Sequence, residues 1–299
     1  MSGAPEGGQE QVGRADFQEF SLYKGAVKGK FYPESHRYYV NGKPKTGVTT
    51  YIGIKDKSRA LVIWATELAE EVLLSAISGK KPITEELVIE ACGLHEVRKQ
   101  EAADTGSKIH DWAEQYIRHK LKEKGFEQLP EMPDGPAVQI GVMAFLDWEK
   151  EHKVKFLSSE RVVYSKKHDF IGKMDIEAKI DGDLCMVDLK SSNGLYNSVN
   201  MQTAAYAKAD EEESGREYVG RWAIRLAKES ETDYLKRMEK KNQKRVRKGK
   251  EPIEFPPYQV FEAKYLDPQQ GLIERDYKAF LAAKHLFEWD KETDYFNNK

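Results

Sequence analysis

Apolar and polar positions change period repeatedly along the chain, and each change marks a predicted element. Arg37–Val40 and residues 45–52 alternate like strands around Asn41-Gly42, a two-residue hairpin signal. From Ser58 the period turns helical, with Leu61, Trp64, Leu68, Val72 and Ala76 on one stripe. A short helix is predicted over residues 84–91. A longer one follows over 94–122, interrupted near Gly106, with Ile109, Trp112, Ala113, Tyr116 and Ile117 as its apolar face. His110 lies on the flank of that face. Residues 138–150 read as an amphipathic helix and Lys155–Ser165 as a strand. Two alternating runs then surround Asp181-Gly182, the preferred dipeptide of a type I′ turn. Beyond them come a helix over 200–213 with small residues for close packing, strands over 218–227 and 258–265, and a helix over 271–289.

Residues 1–20 are small and polar and read as a disordered tail. Residues 21–135 form a hairpin and helical region, and 136–299 the core, with a basic insertion at 230–257. Net charge is −2 over 299 residues, so any affinity for nucleic acid must come from local patches. Lys236 to Lys250 is such a patch, with nine Lys or Arg against Glu239. Two cysteines, Cys92 and Cys185, exclude a disulfide framework and an iron–sulfur cluster on four thiolates. No apolar run approaches the roughly 18 residues of a membrane span, and no leader is legible, so no membrane partner and a cytoplasmic location are expected.

The strongest chemistry lies in the hairpin. With the turn at Asp181-Gly182, Ile180 faces Asp183, and counting outward Asp175 falls opposite Asp188. Facing carboxylates repel across a sheet, an objection that a divalent cation between them removes. Side chains alternate, so Lys190 shares the face of Asp188.

Asp175 followed by Asp188-Leu189-Lys190, with Gln202 and Tyr206 on the next helix and Gly106…His110 upstream, resembles the PD-(D/E)XK nucleases. Within them it is similar to the RecB-type branch, together with stand-alone enzymes like the lambda-type and mitochondrial-genome-maintenance-type exonucleases. The resemblance covers roughly residues 105–222. It implies an α/β fold with a restriction-endonuclease-like mixed central sheet flanked by helices and an N-terminal helical addition. The implied activity is metal-dependent hydrolysis of DNA phosphodiesters, most simply by an exonuclease of repair, recombination or phage DNA processing, in a bacterial or phage-infected cell. A structure-specific endonuclease and a DNA-binding module without catalysis are the alternatives.

By the same resemblance, Asp175, Asp188, the main-chain carbonyl of Leu189 and His110 hold Mg2+ or Mn2+, as one or two ions, and Lys190 positions the attacking water. His110 could otherwise be a packed core residue; Glu114, one turn on, belongs to the same pattern. Glu160 either serves the metal or is a plain polar strand residue. Gln202, Tyr206, Ser191 and Ser192 are candidate DNA contacts, as are the cations Lys108, Lys173, Lys244, Arg245 and Arg247. The basic insertion is expected to be a partly mobile DNA-contacting segment. No phosphate-loop motif is present, so the chain carries no motor. It would act on DNA with free ends or single strands, alone or with a recombination, helicase or single-strand-annealing partner.

Overall fold

The computed structural model describes residues 17–55, 57–267 and 269–292. They begin with a four-stranded antiparallel meander, β1 (Gln18–Leu22), β2 (Val27–Tyr32), β3 (Arg37–Val40) and β4 (Lys43–Lys45). Asn41 and Gly42 take the positive φ of a type I′ turn (48° and 78°) and close the β3–β4 hairpin with Val40 opposite Lys43. Strand β1 corrects the expected tail, whose first sixteen residues lie outside the described ones. Its Leu22 joins Val27, Phe31 and Tyr38 in a small core, which supplies the burial that its polar sequence did not signal.

The strand expected over 45–52 is corrected as well. Pairing stops at Lys45, and Val48–Ile52 is a short helix, α1, with Val48, Tyr51 and Ile52 all buried. That burial at i, i+3, i+4 outweighs the strand preference of β-branched residues.

Helix α2 (Ser58–Ser78) forms where predicted, but of its stripe only Ala76 is buried, and Leu61 is exposed. Helix α3 (Glu85–Lys120) runs unbroken through Gly93 and Gly106, merging the two helices expected there. An interior glycine costs a helix only about 1 kcal/mol, too little to break one anchored by Ile109, Trp112, Ala113 and Ile117. Helix α4 (Pro136–Glu151) follows.

A five-stranded mixed sheet comes next: β5 (Lys155–Ser165), β6 (Phe170–Ile180), β7 (Asp183–Lys190), β8 (Gly220–Leu226) and β9 (Phe261–Tyr265), in that spatial order. Only β7 and β8 are parallel, and helix α5 (Ser198–Ser214) makes the crossover between them. Helices α3 and α4 cover one face, over Ile176, Ala178, Val187 and Leu189. Helices α1, α5 and α7 (Leu272–Glu292) cover the other, over Val163, Phe170, Met174 and Met186. The chain is therefore a mixed α/β protein with two sheets. No described helix is long and apolar enough to cross a membrane.

Residues 231–247 form a regular helix, α6, capped by Ser230, whose hydroxyl accepts from the Asp233 N–H. Its Lys240, Lys244 and Lys248 share one face and meet Glu71, Glu67 and Glu70 of α2. These partners lie on another helix and are invisible to local sequence.

Candidate metal centre

Asp181 and Gly182 carry positive φ (54° and 95°), and Ile180 pairs with Asp183 as the turn sequence requires. The β6–β7 ladder continues to Ile176 opposite Val187 and stops one residue short of the two aspartates. There the Leu189 N–H donates instead to Asp175 Oδ2 at 2.8 Å. The strands fork, and the carboxylate occupies the place of a backbone acceptor.

The fork coincides with an inversion of side-chain alternation. Residues two apart on a strand normally share a face, yet Met174 faces the α5 core and Ile176 the α3–α4 core. On β5 the pairing runs from Ser159↔Ile176 to Arg161↔Met174, and Arg161 reaches Asp210 of α5. Between them Glu160 has φ 51°, a left-handed backbone rare for a non-glycine residue in a strand. Glu160 and Asp175 are thus the two residues at which neighbouring strands kink together.

Helix α3 brings the third group. A Cβ on Gly106 would come 2.5 Å from Ser191 Oγ, so the missing side chain lets α3 lie against the end of β7. One turn later His110 Nδ1 is 3.8 Å from Asp175 Oδ2. Ligand atoms of His110, Glu160 and Asp175 all lie within 4.8 Å of one another. Asp188 stands outside that trio. It is buried, Lys190 Nζ holds its Oδ2 at 2.5 Å, and its Oδ1 has no hydrogen-bond partner among the described residues.

The electrostatics follow from this crowding. Burial, and then Asp175, push Glu160 up to about 7 despite the Lys173 ammonium at 2.8 Å. Burial lifts Asp188 to about 6, with Asp175 adding to it and Lys190 opposing. Burial works against the Lys190 charge, but Asp188 and Asp175 outweigh it and hold its pKa above the ordinary value. Three carboxylates and an imidazole around half-buried space are a hard-oxygen donor set with one nitrogen. Asp188 Oδ1 is buried with no hydrogen-bond partner among the described residues, which a bound cation would explain. The residues fit a divalent cation.

The remaining candidates divide. Leu189 packs its side chain in the α3–α4 core. Gln202 donates to Tyr206 Oη at 3.4 Å, but Tyr206 is buried, and a Cβ on Gly172 would come 2.2 Å from its ring. Tyr206 therefore packs under β6 and does not offer a surface to DNA. Ser191 is half-buried against Gly106, and Ser192 gives its hydroxyl to the Gly194 carbonyl. Lys108 is exposed on α3. Lys244 is paired with Glu67 and Glu70, Arg245 donates its Nε–H to the Glu251 carbonyl, and Arg247 is exposed.

Two further residues influence Glu160 or are influenced by it. Glu114 helps raise Glu160, and its place one turn after His110 on α3 was readable. Tyr38, buried, is raised by its own burial and then by Glu160; nothing in its sequence context joins it to a site more than a hundred residues away. Comparison with models of known protein families gives no match, and no curated protein matches the chain.

Proposed function

We propose that the protein is a divalent-metal-dependent deoxyribonuclease with a restriction-endonuclease-like core, acting on DNA ends. The observation that carries this reading is the convergence of Asp175, Glu160 and His110 beside a buried Asp188 that contacts Lys190. The antiparallel, antiparallel, parallel order of β5 to β8, with a helical crossover, supports the fold assignment.

Asp175, Asp188, Glu160 and His110 would hold one or two Mg2+ or Mn2+ ions. Bound there, such a cation supplies Lewis acidity toward phosphate and lowers the pKa of water. In an antiparallel ladder a residue's N–H and C=O face the same neighbour, so the Leu189 carbonyl is directed to the β6 side with the N–H that holds Asp175. Lys190 stays protonated between Asp188 and Asp175 and offers its donors to a scissile phosphate oxygen or to the incoming water. Glu160, near neutrality in its titration, can accept a proton from that water. Lys173 and Tyr38 hold and enclose Glu160. Gly106 sets the distance of α3, and hence of His110.

The test is cleavage of end-labelled linear DNA beside covalently closed circles, with Mg2+ or Mn2+ and an EDTA control. Linear DNA should be degraded and circles spared, and Lys190→Ala should lose at least about 100-fold in rate. Cleavage of circles would shift the reading to an endonuclease. No cleavage of either DNA with either metal between pH 6 and 9, or full activity in Lys190→Ala, would refute it.

A further inference from the structure

Beyond Lys190 the chain runs into the edge of a cleft of 750 Å³, which Ser192 and Asn193 line at one end. Its walls are the end of β8 at Arg225 to Lys228, one face of α6, the strap from Phe255 to Gln259, and Arg98 from α3. The α6 residues in the wall are Tyr234, Arg237, Met238 and Lys241, spaced i, i+3, i+4, i+7. Arg237 and Lys241 line the cleft while Lys240, Lys244 and Lys248 meet α2, so the helix divides its cations between cleft and structure.

The cleft has two properties together. Three aromatic rings line it: Tyr234 and Tyr258 lie 5.7 Å apart at 54°, and Phe255 sits under Lys241 Nζ at 5.3 Å. Both phenol hydroxyls are already committed to backbone carbonyls, Tyr234 to Pro256 and Tyr258 to Glu229. What these side chains still offer is ring surface. Five cations face two carboxylates. Arg225 is paired with Glu262, Arg237 with Glu229 and Arg98 with Glu101. Among the described residues Lys228 and Lys241 make no ion pair, although Lys228 is half-buried.

We propose that this cleft binds single-stranded nucleic acid next to the metal centre, stacking unpaired bases on Phe255, Tyr234 and Tyr258 and setting phosphates against Lys228 and Lys241. Its role as a track to or from the scissile bond rests on the nuclease reading above; its affinity for single strands does not. Stacking rings beside unpaired cations are what sequence-tolerant single-strand binding requires. A duplex hides its base faces, and a space within the roughly 300–1,000 Å³ of a small-ligand pocket does not admit one.

The test uses the full chain in EDTA, so that nothing is cleaved, with fluorescein-labelled oligothymidylate and a blunt hairpin duplex as probes. Phe255→Leu should weaken the single strand by about tenfold and Phe255→Tyr should restore it, while duplex affinity is unchanged. Lys228→Gln with Lys241→Gln should flatten the salt dependence for the single strand by about 0.7 per phosphate released. Hydrolysis of bis(p-nitrophenyl) phosphate with Mn2+, a substrate too small to need the cleft, reports the metal centre separately and should survive all three. If that ester and DNA both resist the wild type while single-strand binding shows the stated losses, the nuclease reading fails and the cleft stands. Unchanged oligothymidylate affinity in Phe255→Leu and in the lysine pair would overturn the proposal. So would an equal loss on the duplex.

Discussion

Replacing Asp188 with Asn should stabilise the protein in EDTA at neutral pH and remove most of its stabilisation by metal. The carboxyl moves from 3.8 to about 6 on folding, and each pH unit is worth about 1.4 kcal/mol. A folded pKa above the unfolded one means that the stability is present below 3.8 and lost as pH rises through about 6. At pH 7.5 the charged side chain therefore costs about 3 kcal/mol, against less than about 1 kcal/mol at pH 4. Asn keeps the shape and drops the charge. That cost is already net of the attraction to Lys190, which keeps Asp175 and Glu160 as counter-charges in the variant. A net gain of about 1–3 kcal/mol is expected, or roughly 2–6 °C or more in Tm. Mn2+ at a hundred times its Kd should stabilise the wild type by about 2.7 kcal/mol and the variant far less, so the order of the two closes or reverses. Melting curves at pH 4 and pH 7.5, with EDTA and with Mn2+, give all four values. A variant less stable than wild type in EDTA at pH 7.5 would refute the reasoning, since Asp188 would then be half of a structural ion pair with Lys190.

Protons compete with the metal for Asp188 and Glu160, whose pKa values are raised to about 6 and about 7. The apparent Mn2+ affinity measured by calorimetry should therefore fall as pH drops from 8 to 6, by at least about tenfold, and a flat profile would remove these carboxylates from the site. His110→Ala should weaken Mn2+ by at least about tenfold with little change in Tm in EDTA, whereas a collapse of stability without an affinity change would make the ring structural. Gly172→Ala puts a methyl 2.2 Å from the Tyr206 ring and should destabilise by about 1–3 kcal/mol in urea unfolding; a neutral result would mean that Tyr206 is loosely packed. Lys244→Ala, which breaks half-buried pairs with Glu67 and Glu70, should cost no more than about 1 kcal/mol and leave DNA affinity unchanged; a fall in affinity would make Lys244 a phosphate contact.

Local chemistry determined the hairpins. Asn41-Gly42 and Asp181-Gly182 accept positive φ at both turn positions, and with the turn placed the register follows by counting. That is why Asp175, Asp188 and Lys190 were legible in the sequence. The helical periods of α3, α4 and α7 were legible for a similar reason, whereas α5, which buries Thr203 to Ala207 in succession, was marked by its small residues and not by a stripe. Counting could not show that the ladder forks at Asp175, because the kink needs Glu160 on another strand to turn with it. Nor could it show His110 beside Asp175, because that depends on Gly106 meeting Ser191 across the molecule. Tertiary contacts also decided where burial had no local period. Strand β1 is held by a core it shares with β2 and β3, α1 by packing under α7, and α6 by acids on α2. A local window reports the conformations a segment prefers, while burial and counter-charge come from segments far away in the chain, and at these positions they outweigh that preference.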